Sequence, residues 1–154
     1  TPYANVLLDL QQVLAECLQD YPSLKIHLSA WSGSPAHMIA FSKAFPTLYI
    51  GFDGGVTFHK ATHLHECAFE IDWKNNNERW LLVTNNTIPS DVANHLGRHA
   101  FSHSGLIPFI ATAIAKHSPY GNNDNDDDAM TSCNILKTTA ATAERIYPHL
   151  GKTV

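Results

Sequence analysis

Hydrophobic and polar positions along the chain switch between helical and strand spacing. Apolar residues at helical spacing predict five helices, near residues 6–20, 35–45, 60–71, 106–117 and 133–147. Three shorter segments are typical of strands: residues 24–31 alternate apolar and polar side chains, whereas residues 48–52 and 80–83 are almost continuously apolar. This alternation of helices and strands predicts an α/β fold in which parallel strands are joined by right-handed crossovers.

Local signals predict where the helices begin and which faces they bury. Asn5 is a candidate N-cap of the first helix, and Ser34 followed by Pro35 is a candidate start of the second. The last helix carries an apolar stripe that predicts its buried face: Cys133, Leu136, Ala140, Ala143 and Tyr147. Residues 121–128 have almost no apolar side chain to bury, so we expect a mobile acidic loop within the domain.

Composition and charge narrow the classes of function. The 154 residues suit one domain with a buried core. A formal net charge of -4 does not support nucleic-acid binding, and no apolar run approaches the roughly 18 residues of a membrane span. Cys17, Cys67 and Cys133 are odd in number and lie in predicted helices, which favours buried free thiols in a reducing intracellular compartment. Whether that compartment is the cytoplasm or an organelle stays open.

An ordered set of motifs along nearly the whole chain carries a family resemblance. Trp31-Ser32-Gly33 resembles the Phe-Ser-Gly of the TatD-related deoxyribonuclease family, and residues 48–58 resemble the strand and loop that follow it. Residues 81–86 are similar to the Leu-Leu-Glu-Thr-Asp segment of that family, and residues 143–147 resemble its closing helix. The resemblance implies that chain 1–154 is the carboxyl-terminal part of a (β/α)₈ TIM barrel, with its last three parallel strands and their helices.

The resemblance also implies where metal ligands would stand, and both positions have changed. The family's histidine before Phe-Ser-Gly falls on Ser29, and His27 lies two residues earlier, roughly 6.5 Å along the same strand face. The family's aspartate falls on Asn85, whose neutral amide is a weak metal ligand and cannot act as a general base. We therefore expect degenerate catalytic positions and no bound metal. Four residues remain candidate ligand contacts: His27, Asp53, Asn86 and His103.

Two hypotheses of function follow from these expectations. The first is a pseudoenzyme, a TatD-like hydrolase homologue that has lost catalysis, needs no cofactor and serves as a structural or interaction subunit of a larger assembly. The alternative is the carboxyl-terminal part of an active, divalent-metal-dependent deoxyribonuclease whose other ligands come from a partner chain. Three parallel strands cannot close on themselves, and each outer edge leaves unpaired backbone groups. Both hypotheses therefore predict a protein partner, or a missing segment, that completes the barrel.

Overall fold

The computed structural model describes residues 2–73, 79–84, 103–119 and 127–148, without the side chains of residues 2–4, 103–104 and 127–130. Within these ranges five α-helices and three strands follow one another: α1 Pro2–Asp20, β1 Ile26–Leu28, α2 Pro35–Ala44, β2 Leu48–Phe52, α3 Thr62–Glu70, β3 Trp80–Leu82, α4 Ile107–His117 and α5 Asp127–Ile146. Short 3₁₀ helices, Gly54–Thr57 and His103–Leu106, precede α3 and α4. The predicted α/β class is confirmed, whereas closure into a TIM barrel stays a prediction.

The three strands form one parallel sheet in the order β1-β2-β3. Ile26 of β1 lies beside Leu48 of β2, and Ile50 lies beside Trp80 of β3. The prediction that Leu48–Phe52 is the middle strand is therefore confirmed. β1 is shorter than the predicted segment of residues 24–31, because the chain bends at residues 29–30 before the Trp31 N–H donates to the Gly51 carbonyl.

The two faces of the sheet have different characters. Side chains of paired residues in parallel strands point to the same face, so Leu48, Ile50 and Phe52 share one face with Trp80, and all four are buried. That face packs into the main core together with side chains from the helices: Leu7, Leu14, Met38, Phe41, Leu64, Cys67, Ile110, Ile114 and Ile135. The opposite face, which we call the His27 face, carries His27, Tyr49, Gly51 and Leu81.

Helix starts were predicted correctly in one case and wrongly in another. Ser34 is the N-cap of α2, where its hydroxyl accepts a hydrogen bond of 3.3 Å from the His37 N–H and Pro35 occupies the first turn. Asn5 is not a cap, because α1 already begins at Pro2. Proline suits a first helical turn, since its fixed φ is helical and the missing N–H would have no partner there.

The buried face of α5 differs from the predicted stripe. Cys133 and Ala140 are exposed, whereas the buried positions among residues 131–146 are Thr131, Ile135, Thr139 and Thr142. Threonine can be buried here because its hydroxyl is satisfied within the helix, as the 2.7 Å bond from Thr139 Oγ1 to the Ile135 carbonyl shows. α5 begins at Asp127, so the last two residues of the acidic stretch are helical, and residues 121–126 lie outside the described residues.

The cysteines are free, but they are not all buried. Cys67 lies in the core, whereas Cys17 on α1 and Cys133 on α5 are exposed, so the prediction of three buried thiols is wrong for two of them. Among the helices that the structure describes, none is long and apolar enough to cross a membrane.

Candidate functional site

Three of the candidate residues, His27, Ser29 and Asp53, lie at or near the carboxyl ends of β1 and β2. Asp53 follows β2 directly and caps the 3₁₀ helix Gly54–Thr57, where its Oδ1 accepts a hydrogen bond of 2.9 Å from the Gly55 N–H. A Cβ atom added to Gly55 would lie only 2.8 Å from that same oxygen, so a larger residue there would displace the capping carboxylate. The Asp53 carboxylate therefore shapes the turn after the middle strand.

His27 and Ser29 meet at the close approach of β1 to Gly51. A Cβ atom added to Gly51 would lie 2.7 Å from the Ser29 carbonyl oxygen and 3.0 Å from His27 Nε2. Val83, just past β3, would be 2.9 Å away on the other side. Glycine is therefore required at this point of the middle strand, because any side chain would collide with both neighbouring strands. The Ser29 residue itself is exposed.

The geometry of His27 is that of a packed histidine. Its Nδ1 lies 2.8 Å from the Tyr147 hydroxyl, and which of the two atoms donates depends on the tautomer. Its Nε2 is buried, has no hydrogen-bond partner among the described residues and lies 3.0 Å from the place that a Cβ atom on Gly51 would take. A metal bound to Nε2 would need room at about 2.0–2.1 Å in the plane of the ring. Nδ1 is engaged by the Tyr147 hydroxyl and Nε2 is buried close to Gly51, which is the environment of a packed side chain.

Two contacts hold the end of α5 against β1, and sequence reasoning missed both. The Lys25 ammonium donates a hydrogen bond of 2.7 Å to the Arg145 carbonyl, and the Tyr147 ring meets the His27 ring at 6.1 Å between centroids. The partners are 120 residues apart in the sequence, so no local pattern indicates them. Tyr147 therefore covers part of the His27 face.

The remaining candidates lie at the limit of the described structure. Asn85 and Asn86 fall outside the described residues, and His103 is described only as backbone at the start of a 3₁₀ helix. Over residues 2–73, 79–84, 103–119 and 127–148, no three His, Cys, Asp or Glu side chains are grouped so that they could hold a metal ion. Among the candidates whose side chains the structure describes, His27 and Ser29 lie together beside Gly51.

A pair of stacked histidines joins α3 to α4. The imidazole rings of His65 and His117 are stacked, with centroids 3.7 Å apart and an angle of 8° between their planes. His65 Nε2 lies 3.0 Å from the Val56 carbonyl, which fixes that ring. Burial lowers the pKa of His117, and electrostatic repulsion from the neighbouring His65 and Lys116 lowers it further.

These histidines predict destabilisation in acid. Burial lowers the pKa of His27, as it lowers that of His117, below the ordinary value of 6.5. The unfolded chain therefore takes up protons first, so the stability present above pH 6.5 is lost as the pH falls through the lowered pKa values. We expect the urea midpoint to decrease between pH 7.5 and 5.

The matched variant His117→Phe keeps an aromatic ring in the stack but cannot titrate, so it should lose less stability over the same interval. A urea midpoint that stays constant from pH 7.5 to 5 in the unmodified chain would contradict the assignment.

Comparisons with known proteins add no support to the family resemblance, which rests on the sequence motifs alone. No family model matches the chain, and a search of curated proteins finds no significant match.

Proposed function

We propose that this chain is a TatD-like hydrolase homologue that has lost catalysis and serves as a structural or interaction subunit, with its sheet completed by another polypeptide. The observation that carries the proposal is the open sheet. β1 and β3 are its outer strands, and among the described residues no strand pairs with the far edge of either. Sheet edges of this kind present unpaired N–H and C=O groups that another chain can bond.

The chemistry of the candidate residues supports the loss of catalysis. The Asp53 carboxylate accepts a hydrogen bond from the turn that it caps, and the His27 Nε2 is buried close to Gly51. At Ser29 a neutral hydroxyl stands where the resemblance implies an imidazole ligand. A hydroxyl is a poor ligand for a divalent ion compared with imidazole or carboxylate, because it neither carries charge nor offers a basic lone pair.

An experiment on metal and DNA tests this proposal. We expect the purified chain, alone and with any protein that co-purifies, to contain no stoichiometric divalent metal and to show no EDTA-sensitive cleavage of DNA. Elemental analysis and a nuclease assay with added Mg²⁺, Mn²⁺ or Zn²⁺ measure the two quantities. Stoichiometric metal together with EDTA-sensitive cleavage that is lost in Asn85→Ala would contradict the proposal and favour the alternative of an active nuclease completed by its partner.

A further inference from the structure

We propose that one side of α1 and the outer edge of β1 form a single docking surface for a partner protein. The partner supplies a strand beside β1 and a helix whose apolar stripe is bordered by lysine or arginine. This inference deepens the proposed function and rests on it, because it names which surface the partner takes and the chemistry that the surface recognises.

The first observation is an exposed apolar stripe along α1. The helix buries Leu7 and Leu14 in the core. The next face along carries the α1 stripe, whose members recur at spacings of four, three and four residues: Val6, Leu10, Val13 and Cys17. Val6 is 60% exposed and Val13 53% exposed, while Leu10 packs partly against the core. Side chains at this spacing share one face of a helix, so the α1 stripe is a continuous apolar strip without a cover among the described residues.

The second observation is a groove that links the α1 stripe to the edge of the sheet. The groove has a volume of about 310 Å³ and is lined by Val6, Leu7 and Leu10 of α1 and by residues 28–32 at the end of β1. The Ile26 N–H donates to the Thr47 carbonyl just before β2, and the Trp31 N–H donates to the Gly51 carbonyl within β2. Successive residues of a strand direct their backbone groups to opposite sides, so the backbone of His27 faces the outer edge. A strand of the partner placed at this outer edge would bond to β1, while a helix of the same partner covers the α1 stripe.

The third observation is charge. Residues 1–24 contain no lysine or arginine, and the three acidic residues of α1 are Asp9, Glu16 and Asp20. Each lies three residues after a member of the α1 stripe, so the three carboxylates form a row along one border of it. A partner helix that brings lysine or arginine to this border gains attraction and is steered into register.

The same row argues against a second copy of this chain as the occupant. A second copy would have to place its own β1 edge beside this one, and the two-fold axis that does so brings the two α1 helices together antiparallel, so each flanking row faces its own copy. Asp9, Glu16 and Asp20 would face the same carboxylates, and like charges in an interface are repelled. The net charge of -4 on each chain adds to that repulsion. The occupant is therefore a different protein with a basic border.

Photo-cross-linking of the full chain in its source cells tests the inference. Benzoylphenylalanine is placed at Val6 or Val13 on the stripe, or at Leu8, which is 63% exposed but lies roughly 170° around the helix. We expect about ten-fold more product from the two stripe positions than from Leu8, because only they face the partner. Sequencing of the cross-linked peptide should identify one segment with apolar residues at helical spacing bordered by lysine or arginine.

Charge reversal provides the matched variant. Asp9→Lys, Glu16→Lys and Asp20→Lys together should lower the cross-linking yield about ten-fold, whereas Gln11→Lys, which adds one positive charge on another face, should leave it within a factor of about two. A product between two copies of this chain, a cross-linked segment without basic residues, equal yields from Leu8 and Val13, or no product would each overturn the inference.

Thiol labelling gives a second readout on the unmodified sequence. Cys17 belongs to the α1 stripe and Cys133 does not, and both are exposed in the chain alone. Burial raises the pKa of Cys67 to about 11, so its thiol stays unreactive. In a native extract we expect maleimide to label Cys133 readily and Cys17 only after the complex is dissociated. Equal labelling of the two would overturn the inference. A partner cross-linked through another surface would overturn the docking surface alone, whereas a chain that has no partner would overturn the proposed function.

Discussion

Phe52→Ala is expected to lower the free energy of unfolding by about 3–5 kcal/mol, because it empties the centre of the core. Phe52 ends the middle strand and is 1% exposed. Its ring lies 6.4 Å from the rings of Trp73 and Trp80, so its loss leaves two indoles beside a cavity. The urea midpoint, followed by tryptophan fluorescence at a fixed protein concentration, measures the change.

Phe69→Ala is the matched control, since it deletes the same atoms from a position on α3 that is 50% exposed. Surface substitutions usually change stability by no more than about 0.5 kcal/mol, and partial burial of this ring raises the expected loss to about 1 kcal/mol. If the two variants lost equal stability, the burial of the main core would be wrongly assigned.

Local signals explain why much of the fold could be predicted from the sequence. Leu48–Phe52 matches its predicted bounds, because a continuous apolar run between polar turns is typical of a central parallel strand. Ser34 with Pro35 predicted the start of α2 for a similarly local reason, since capping involves only the next three residues. The parallel order of the strands followed from their alternation with helices.

The failed predictions come from treating polarity as a property of the residue type alone. α5 buries Thr139 and Thr142, since threonine hydroxyls can bond to carbonyls of their own helix and then pack as small apolar groups. Cys17 was predicted to be buried because it recurs at helical spacing, yet it lies on the exposed α1 stripe. An apolar stripe marks a surface that packs against something, and only the structure distinguishes the core from a docking surface.

The candidate site was harder to predict because its contacts are between distant residues. Sequence reasoning placed Asp53 directly after the strand of residues 48–52, where it lies, but it placed Ser29 inside a strand that ends at Leu28. It could not predict that His27 contacts Tyr147 or that His65 stacks on His117, because both pairs join elements far apart in the chain. It also could not distinguish a carboxylate that caps a turn, as Asp53 does, from one that is turned to a ligand.

The central claim, that the sheet is completed by another polypeptide, is tested most directly by expressing residues 1–154 alone. Without that polypeptide, the edges of β1 and β3 that no described strand pairs favour self-association, because each unpaired backbone group in a dry environment costs about 1–3 kcal/mol. Sedimentation velocity should then find species larger than the 17.0 kDa monomer that shift with protein concentration, and near-UV circular dichroism should show a broad melting transition. A compact monomer with a strong near-UV signal and a cooperative transition would contradict the claim, since the chain would then be a self-sufficient α/β domain.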